Sequence, residues 1–227
     1  MKKRPIISIL FFLIFVFLIN TTLSAKTIAV IIKVKGTVSL YKDNKISQQK
    51  LRRGTRLSAG DKIVTDKKGY TAIRFIDDKS LLRIRSNSTC TIRTKKVKNE
   101  TIKNVFLEVG TIYARITKQN AKFEVETPTS VASVKGTELV TKQILKGGTF
   151  YYCKSGVFEV SNDVGSALCR AGEMVEVKSS TSAPVTSKAP DGMDDWDLES
   201  AQEDYEFEFE NEEGEKRILR FRVIVEE

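Results

Sequence analysis

Few side chains in this sequence could do chemistry. Its 227 residues include no histidine. That removes Ser-His-Asp and Cys-His nucleophilic catalysis, His-ligated zinc and an imidazole switch near neutral pH. The acidic pair Asp77-Asp78 stands between Phe75 and Leu81, where a β-turn is expected. Asp in a turn accepts hydrogen bonds from its own backbone, so the pair reads as a turn rather than as a general acid and base. The sequence has no Asp-x-Asp-x-Asp-Gly calcium loop and no Gly-x-Ser-x-Gly elbow, and Lys135-Gly136-Thr137 lacks the upstream glycine of a phosphate loop. No two carboxylates are nominated for glycan hydrolysis, which needs them about 5–9.5 Å apart in a cleft. The expectation is a non-enzymatic protein with no cofactor and no metal. Three cysteines remain, Cys90, Cys153 and Cys169. Cys153 and Cys169 fall on successive predicted strands around a turn near Gly165, so a disulfide between them is an option if their Cα atoms lie within about 7 Å. The alternative is three small apolar residues packed in strands, with Cys90 buried in either case.

Charge is the next feature that bears on function. Residues 2–4 are Lys-Lys-Arg, Ile6 to Ile19 is apolar except for Ser8, and a small polar stretch ends at Ala25. This is the layout of an export signal, with cleavage expected after Ala25. The other reading is an uncleaved membrane anchor, although 14 apolar residues are short against the roughly 20 of a span. Residues 191–227 hold 15 Asp+Glu and 4 Lys+Arg, net −11, whereas residues 26–190 hold 31 Lys+Arg and 14 Asp+Glu, net +17. A basic body can concentrate an anionic partner. In an exported protein that partner is an envelope polymer, a phospholipid headgroup or an acidic protein surface, not nucleic acid. A second reading folds the acidic tail back on the body. A third leaves the lysines as solvated outward side chains.

The elements that must hold these groups read as strands throughout the body. Short runs such as Tyr70–Phe75, Thr89–Val97 and Val131–Val134 are separated by Gly or Asp/Asn turns, and no amphipathic spacing for a long helix occurs between 26 and 178. Strands are expected over Ile102–Val109 and again over Thr111–Thr117, with Gly110 as the break. The dipeptide Gly-Thr recurs at 36, 54, 110, 136 and 148, where a glycine before a β-branched residue suits a chain that bends and re-enters a sheet. The boundaries expected are a signal peptide at 1–25, a β body at 26–178, a Ser/Thr/Pro linker at 179–200 and an acidic hairpin at 201–227. In the hairpin a three-residue loop at Glu213-Gly214-Glu215 sets Phe209 against Leu219, Phe207 against Phe221 and Tyr205 against Val223, with Glu208 and Glu206 against Arg220 and Arg222. A lone hairpin is marginal in water, so Tyr205, Phe207, Phe209 and Phe221 are the candidate partner-docking face.

A series of short stretches then carries a resemblance. In order they are Val34-Lys-Gly-Thr-Val38, Leu51-Arg-Arg-Gly54, Leu57-Ser-Ala-Gly-Asp-Lys-Ile-Val-Thr65, Ala72-Ile-Arg-Phe-Ile-Asp-Asp-Lys-Ser-Leu-Leu-Arg-Ile84, Leu107-Glu-Val-Gly110, Phe123-Glu-Val-Glu-Thr-Pro128, Val131-Ala-Ser-Val-Lys-Gly-Thr137 and Ala171-Gly-Glu173. Together they resemble the FecR domain family over residues 30 to 178. Asp78 stands where the family has Gly, and Lys154-Ser155-Gly156 where it has Glu-Gly. The resemblance implies an extracytoplasmic all-β module that binds a ligand or a protein. Its best-known members are transmembrane regulators with a cytoplasmic anti-sigma segment. Here the apolar segment begins at residue 6, so the expectation is a stand-alone exported form.

The fold expected is all-β, compact and either sandwich-like or β-helix-like, with a signal helix before it and a hairpin after it. The function expected is a binding module of the bacterial envelope, located in the periplasm or at the cell surface. Its partner is an anionic polymer or another envelope protein, and the membrane is touched only through the export signal or an uncleaved anchor. The alternative is a sensor or adaptor in FecR-type transmembrane signalling. The candidate anion-binding face is Arg52, Arg53, Arg83, Arg85, Arg93, Lys95 and Lys96.

Overall fold

The computed structural model describes residues 26–42, 45–47, 51–97, 100–117 and 122–190, and the backbone of 202–210 and 216–224. The expected export signal, its helix and the expected cleavage point at Ala25 lie outside the described residues, among which no helix is long and apolar enough to cross a membrane. The described residues are all-β, as their alternation predicts.

The body strands form two facing layers. The first runs, in lateral order, β4 (Arg56–Ser58), β1 (Thr27–Lys35), β6 (Tyr70–Phe75), β7 (Leu81–Ile84), the end of β9 (Glu100–Arg115), β12 (Glu138–Gln143), β13 (Thr149–Ser155), β16 (Glu173–Val177) and β17 (Val185–Lys188). The second runs β3 (Lys45–Ile46), β2 (Val38–Lys42), β5 (Lys62–Thr65), β8 (Thr89–Val97), the start of β9, β10 (Phe123–Glu126), β11 (Val131–Val134), β14 (Val157–Asn162) and β15 (Gly165–Arg170). Pairing is antiparallel except between β9 and β10. Each layer turns alternate side chains inward, and Ile31, Ile73, Leu82, Ile112, Leu139 and Val175 of the first meet Ile63, Ile92, Leu107, Val125, Ala132 and Val160 of the second in one buried cluster. Phe75 and Phe123 pack edge to face across it, centroids 5.4 Å apart at 87°, the arrangement the ring quadrupoles favour.

β9 belongs to both layers. Up to Val109 it pairs with β8, and from Gly110 it pairs with β12 and, from Ile112, with β7. The two strands expected on either side of Gly110 are therefore one, because the chain bends there without leaving the ladder. Gly110 has φ +102°, and a Cβ on it would stand 2.5 Å from the Cα of Ser88. Gly36 makes the crossing from β1 to β2 in the same way, with φ +62° and a virtual Cβ 2.1 Å from the Lys68 carbonyl oxygen. Only glycine suits such positions.

Two boundaries differ from the sequence expectation. The stretch read as linker from 179 contains β17, which pairs with β16 from Glu173↔Lys188 to Glu176↔Val185. Its four side chains are all exposed, so no alternation marks it; the unpaired backbone edge of β16 specifies it instead. The terminal hairpin pairs β18 (Gln202–Glu210) with β19 (Lys216–Ile224), but two residues out of the expected register. Tyr205 lies opposite Phe221, Phe207 opposite Leu219, Phe209 opposite Arg217 and Glu206 opposite Arg220. The loop is the five residues 211–215 rather than three. A shift of two preserves the parity of each strand, so both registers satisfy the same alternation and alternation could not choose between them.

Candidate functional site: a basic groove beside the first strand

Leu51 is buried and anchors a short loop whose next two residues, Arg52 and Arg53, point outward. The loop is clamped to β1: Gly54 N–H donates to the Ile31 carbonyl (2.8 Å) and Ile31 N–H to the Thr55 carbonyl (2.9 Å). The buried Thr55 hydroxyl accepts from Arg52 N–H at 3.2 Å. The chain then enters β4, where Leu57 faces the core and Arg56 alternates outward. Lys42, at the end of β2, closes the other side and is held by Asp61 at 3.4 Å. The result is a groove of about 600 Å³ lined by Lys42, Arg52, Arg53, Gly54, Thr55 and Arg56. Among the described residues no carboxylate lines it. Three guanidinium forks and an ammonium offer charge-assisted donors suited to carboxylate, phosphate or sulfate oxygens.

Only Arg52 and Arg53 of the seven expected anion-binding residues reach this groove. Arg83 lies on the outer surface of the first layer, its guanidinium carbon 5.1 Å from the centre of the Tyr113 ring, and Arg85 follows β7 on that layer. Arg93 and Lys95 lie on the outer surface of the second layer and are already neutralised. Arg93 pairs with Glu126 at 3.4 Å and sits 4.2 Å above the Phe106 ring. Lys95 bridges Glu124 (3.2 Å) and Glu126 (2.8 Å). Burial works against both ions, but their mutual hydrogen bonds prevail, raising Lys95 and lowering Glu126 from their ordinary values. Asn104 donates to both glutamates, at 3.1 and 3.0 Å. Lys96 is exposed near the end of β8. The seven do not form one face, because outward positions on two different layers point in opposite directions. Arg56 and Lys42 went unrecognised; the clue was the Arg-Arg-Gly-Thr-Arg spacing, which puts a third guanidinium just past the turn.

Residues 61–157 match the family model described as FecR protein. Over those residues the chain is FecR-like. No curated protein matches the chain. Two crystal structures of a candidate anti-sigma factor from Parabacteroides distasonis, at 1.65 and 2.50 Å resolution, are similar to it with TM-scores of 0.49 and 0.48 and 14% sequence identity. Each similarity covers 56% of this chain and 59% of the other, so this chain spans about three-fifths of the length of those structures. The matched segment begins at Asp61, so the groove loop precedes it.

Within the FecR-like segment the Asp77-Asp78 turn forms as expected, but with a partner the sequence did not show. Asp78 is buried and ion-paired with Lys103 of β9, itself 4% exposed. Lys103 Nζ also donates to Asp77 Oδ1 at 3.0 Å and stands 5.3 Å from the centre of the Phe75 ring. Ser80 donates to the Asp78 carboxylate through its N–H (3.0 Å) and hydroxyl (2.9 Å). Burial alone pushes the Asp78 carboxyl up, yet Lys103 and Ser80 together hold it below its ordinary value. The departure from glycine at this position thus goes with a buried cation.

The Thr127-Pro128 corner of the FecR-like segment closes over a buried hydroxyl cluster. Thr127 Oγ1 lies 2.9 Å from Thr149 Oγ1 and 3.2 Å from Tyr151 Oη, and Ser130 Oγ lies 3.0 Å from Tyr151 Oη. Burial pushes the Tyr151 phenol up to about 12, so it stays a neutral donor.

All three cysteines are buried thiols. Cys90 is enclosed in β8, and burial holds its thiol up at about 12. Cys153 of β13 donates toward the Gly156 carbonyl (3.5 Å) and Cys169 of β15 toward the Glu173 carbonyl (3.3 Å), and the influence of each thiol on the other lowers Cys153 and raises Cys169.

Proposed function

We propose that the protein is a non-enzymatic recognition module of the bacterial envelope, reached through its N-terminal export signal, and that an anionic group docks in the Lys42–Arg52–Arg53–Arg56 groove. The observation that carries this reading is the groove itself. Among the described residues no carboxylate lies within ion-pairing distance of Arg52, Arg53 or Arg56, whereas Arg93, Lys95 and Lys103 are each paired with a carboxylate. Three unneutralised guanidinium groups on a clamped loop keep their geometry without a ligand, which lowers the ordering cost of binding one.

The FecR-like segment favours a second, compatible reading, in which the module is the sensor or adaptor of FecR-type transmembrane signalling and the anion is carried by a protein partner. The test measures binding of fluorescent polygalacturonate, a soluble polyuronate, to the mature chain and to its Arg52→Ala, Arg53→Ala and Arg56→Ala variants. Loss of one guanidinium contact should weaken binding about tenfold and flatten its dependence on salt. Equal binding by all four proteins would remove the groove from the account. Crosslinking in intact cells separates the readings, since capture of a defined membrane protein supports the adaptor and capture of polymer supports the scaffold.

A further inference from the structure

The first layer has a hydrophobic cluster on its outside as well as its inside. Tyr113, Val140 and Tyr152 belong to strands whose inward residues, Ile112, Leu139 and Tyr151, fill the central core. These three therefore face away from the core, and yet they are only 0%, 3% and 6% exposed. Leu81 and Ala189 pack against them. The polar end of Tyr113 is tied down separately: its hydroxyl donates to Glu138 (2.7 Å) and accepts from Arg115 Nε (3.2 Å).

Ala189 is the informative member, since it lies just past β17, where its N–H donates to the Gly172 carbonyl at 3.0 Å. The chain thus reaches this outer surface immediately before residue 191. From there to residue 227 it holds 15 Asp+Glu against 4 Lys+Arg and the single tryptophan, Trp196. The surface it reaches carries cations on outward positions of β7, β12 and β13 and just past β7, Arg83, Arg85, Lys142 and Lys154, beside Arg115, which is already paired with Glu138 at 2.8 Å. Trp196 is seven positions past Ala189, a reach of up to about 24 Å when extended, and Ala189 already touches the cluster.

We infer that the acidic C-terminal segment, residues 191–227, docks along the outer surface of the first layer, with its carboxylates against these cations and Trp196 on the Tyr113–Val140–Tyr152 cluster. The segment is the occupant because its charge is opposite to that of the surface and its point of departure lies on it. Docking takes this second basic surface out of competition for anionic partners and leaves the groove beside β1 as the open one. The inference does not depend on what the groove binds.

Trp196 reports on this directly, because no other tryptophan contributes to the fluorescence. In the full mature chain its emission should be blue-shifted relative to the same chain in denaturant and weakly quenched by acrylamide. Asp194→Lys, Asp195→Lys and Asp197→Lys together, placed outside the folded body, should shift the emission to the red and raise the quenching constant severalfold with no loss of body stability. Arg83→Glu should do the same from the other side, and added salt should move the wild type in that direction. Emission indistinguishable from the denatured chain, or quenching unchanged by the tail substitutions, would overturn the docking. Protection that disappears on dilution would assign the surface to a second copy's tail and overturn it as an intramolecular contact.

Discussion

Lys103 and Asp78 form a buried ion pair, and such a pair is more consequential when broken than when present. Lys103→Met leaves the Asp78 carboxylate enclosed and unpaired, with an expected loss of about 3–5 kcal/mol at pH 7. The pH dependence follows from the depressed Asp78 value. Stabilisation is complete above the unfolded carboxyl's pKa of about 3.9 and fades as pH falls through the lower folded value. The gap in Tm between wild type and Lys103→Met should therefore be widest near pH 7 and shrink toward pH 3, and adding Asp78→Asn to Lys103→Met should recover part of the loss. Thermal unfolding of the three proteins at both pH values checks this, and an unchanged Tm for Lys103→Met at pH 7 would show that the pair carries no weight. The acidic pair was legible as a turn because turn chemistry is local. Its lysine was not, because the contact depends on β9 running beneath the turn. The groove divides the same way: Arg52 and Arg53 stand out in the sequence, whereas Arg56 and Lys42 join them only through the β1–β4 and β2–β5 ladders.

Most strands were legible individually. Tyr70–Phe75, Thr89–Val97 and Val131–Val134 run as their alternation indicates, because a half-buried strand writes its two faces into the sequence with period two. Their assignment to layers was not legible, since inward and outward residues look alike in either layer and lateral order is decided by backbone ladders. β9 shows the cost of reading glycine only as punctuation. At Gly110 it marks a strand passing from one layer to the other, and Ser88 occupies the space a side chain would need. The Ser88 hydroxyl accepts from Thr111 N–H at 2.9 Å just beyond the bend, so a displaced Ser88 also abandons that amide. Gly110→Val combines a left-handed φ with this clash and should cost well over the roughly 1 kcal/mol expected of an ordinary glycine substitution. Ser88→Ala relieves only the side-chain part. Urea unfolding should give the order wild type, Ser88→Ala, Gly110→Val in falling stability; a Gly110→Val protein as stable as wild type would mean that the bend does not require glycine.

At the scale of the molecule, the two layers share one core and one strand, and β13 and β15 add a further link through Cys153 and Cys169. The disulfide that the sequence leaves open between these cysteines meets a structure in which both are buried thiols, one from each layer, with Cys90 elsewhere in β8. Refolding in a buffer of oxidised and reduced glutathione supplies the oxidant. Cys153 and Cys169 give up two protons and two electrons to form the S–S bond, and one oxidised glutathione is reduced to two thiols. Titration in denaturant should then find one thiol, that of Cys90, against three in the reduced chain, and peptide mapping should place the bond between residues 153 and 169. A bond closing a loop of about 15 residues constrains the unfolded chain by about 3 kcal/mol, a Tm gain of about 6–12 °C at this size. Cys153→Ser should show two thiols under both conditions and no gain in Tm from oxidant. Three titratable thiols in the oxidatively refolded wild type would mean that the layers are held by packing and β9 alone. The gain should also vanish in reductant, so that a chain oxidised outside the cytoplasm is measurably harder to unfold than the same chain kept reduced.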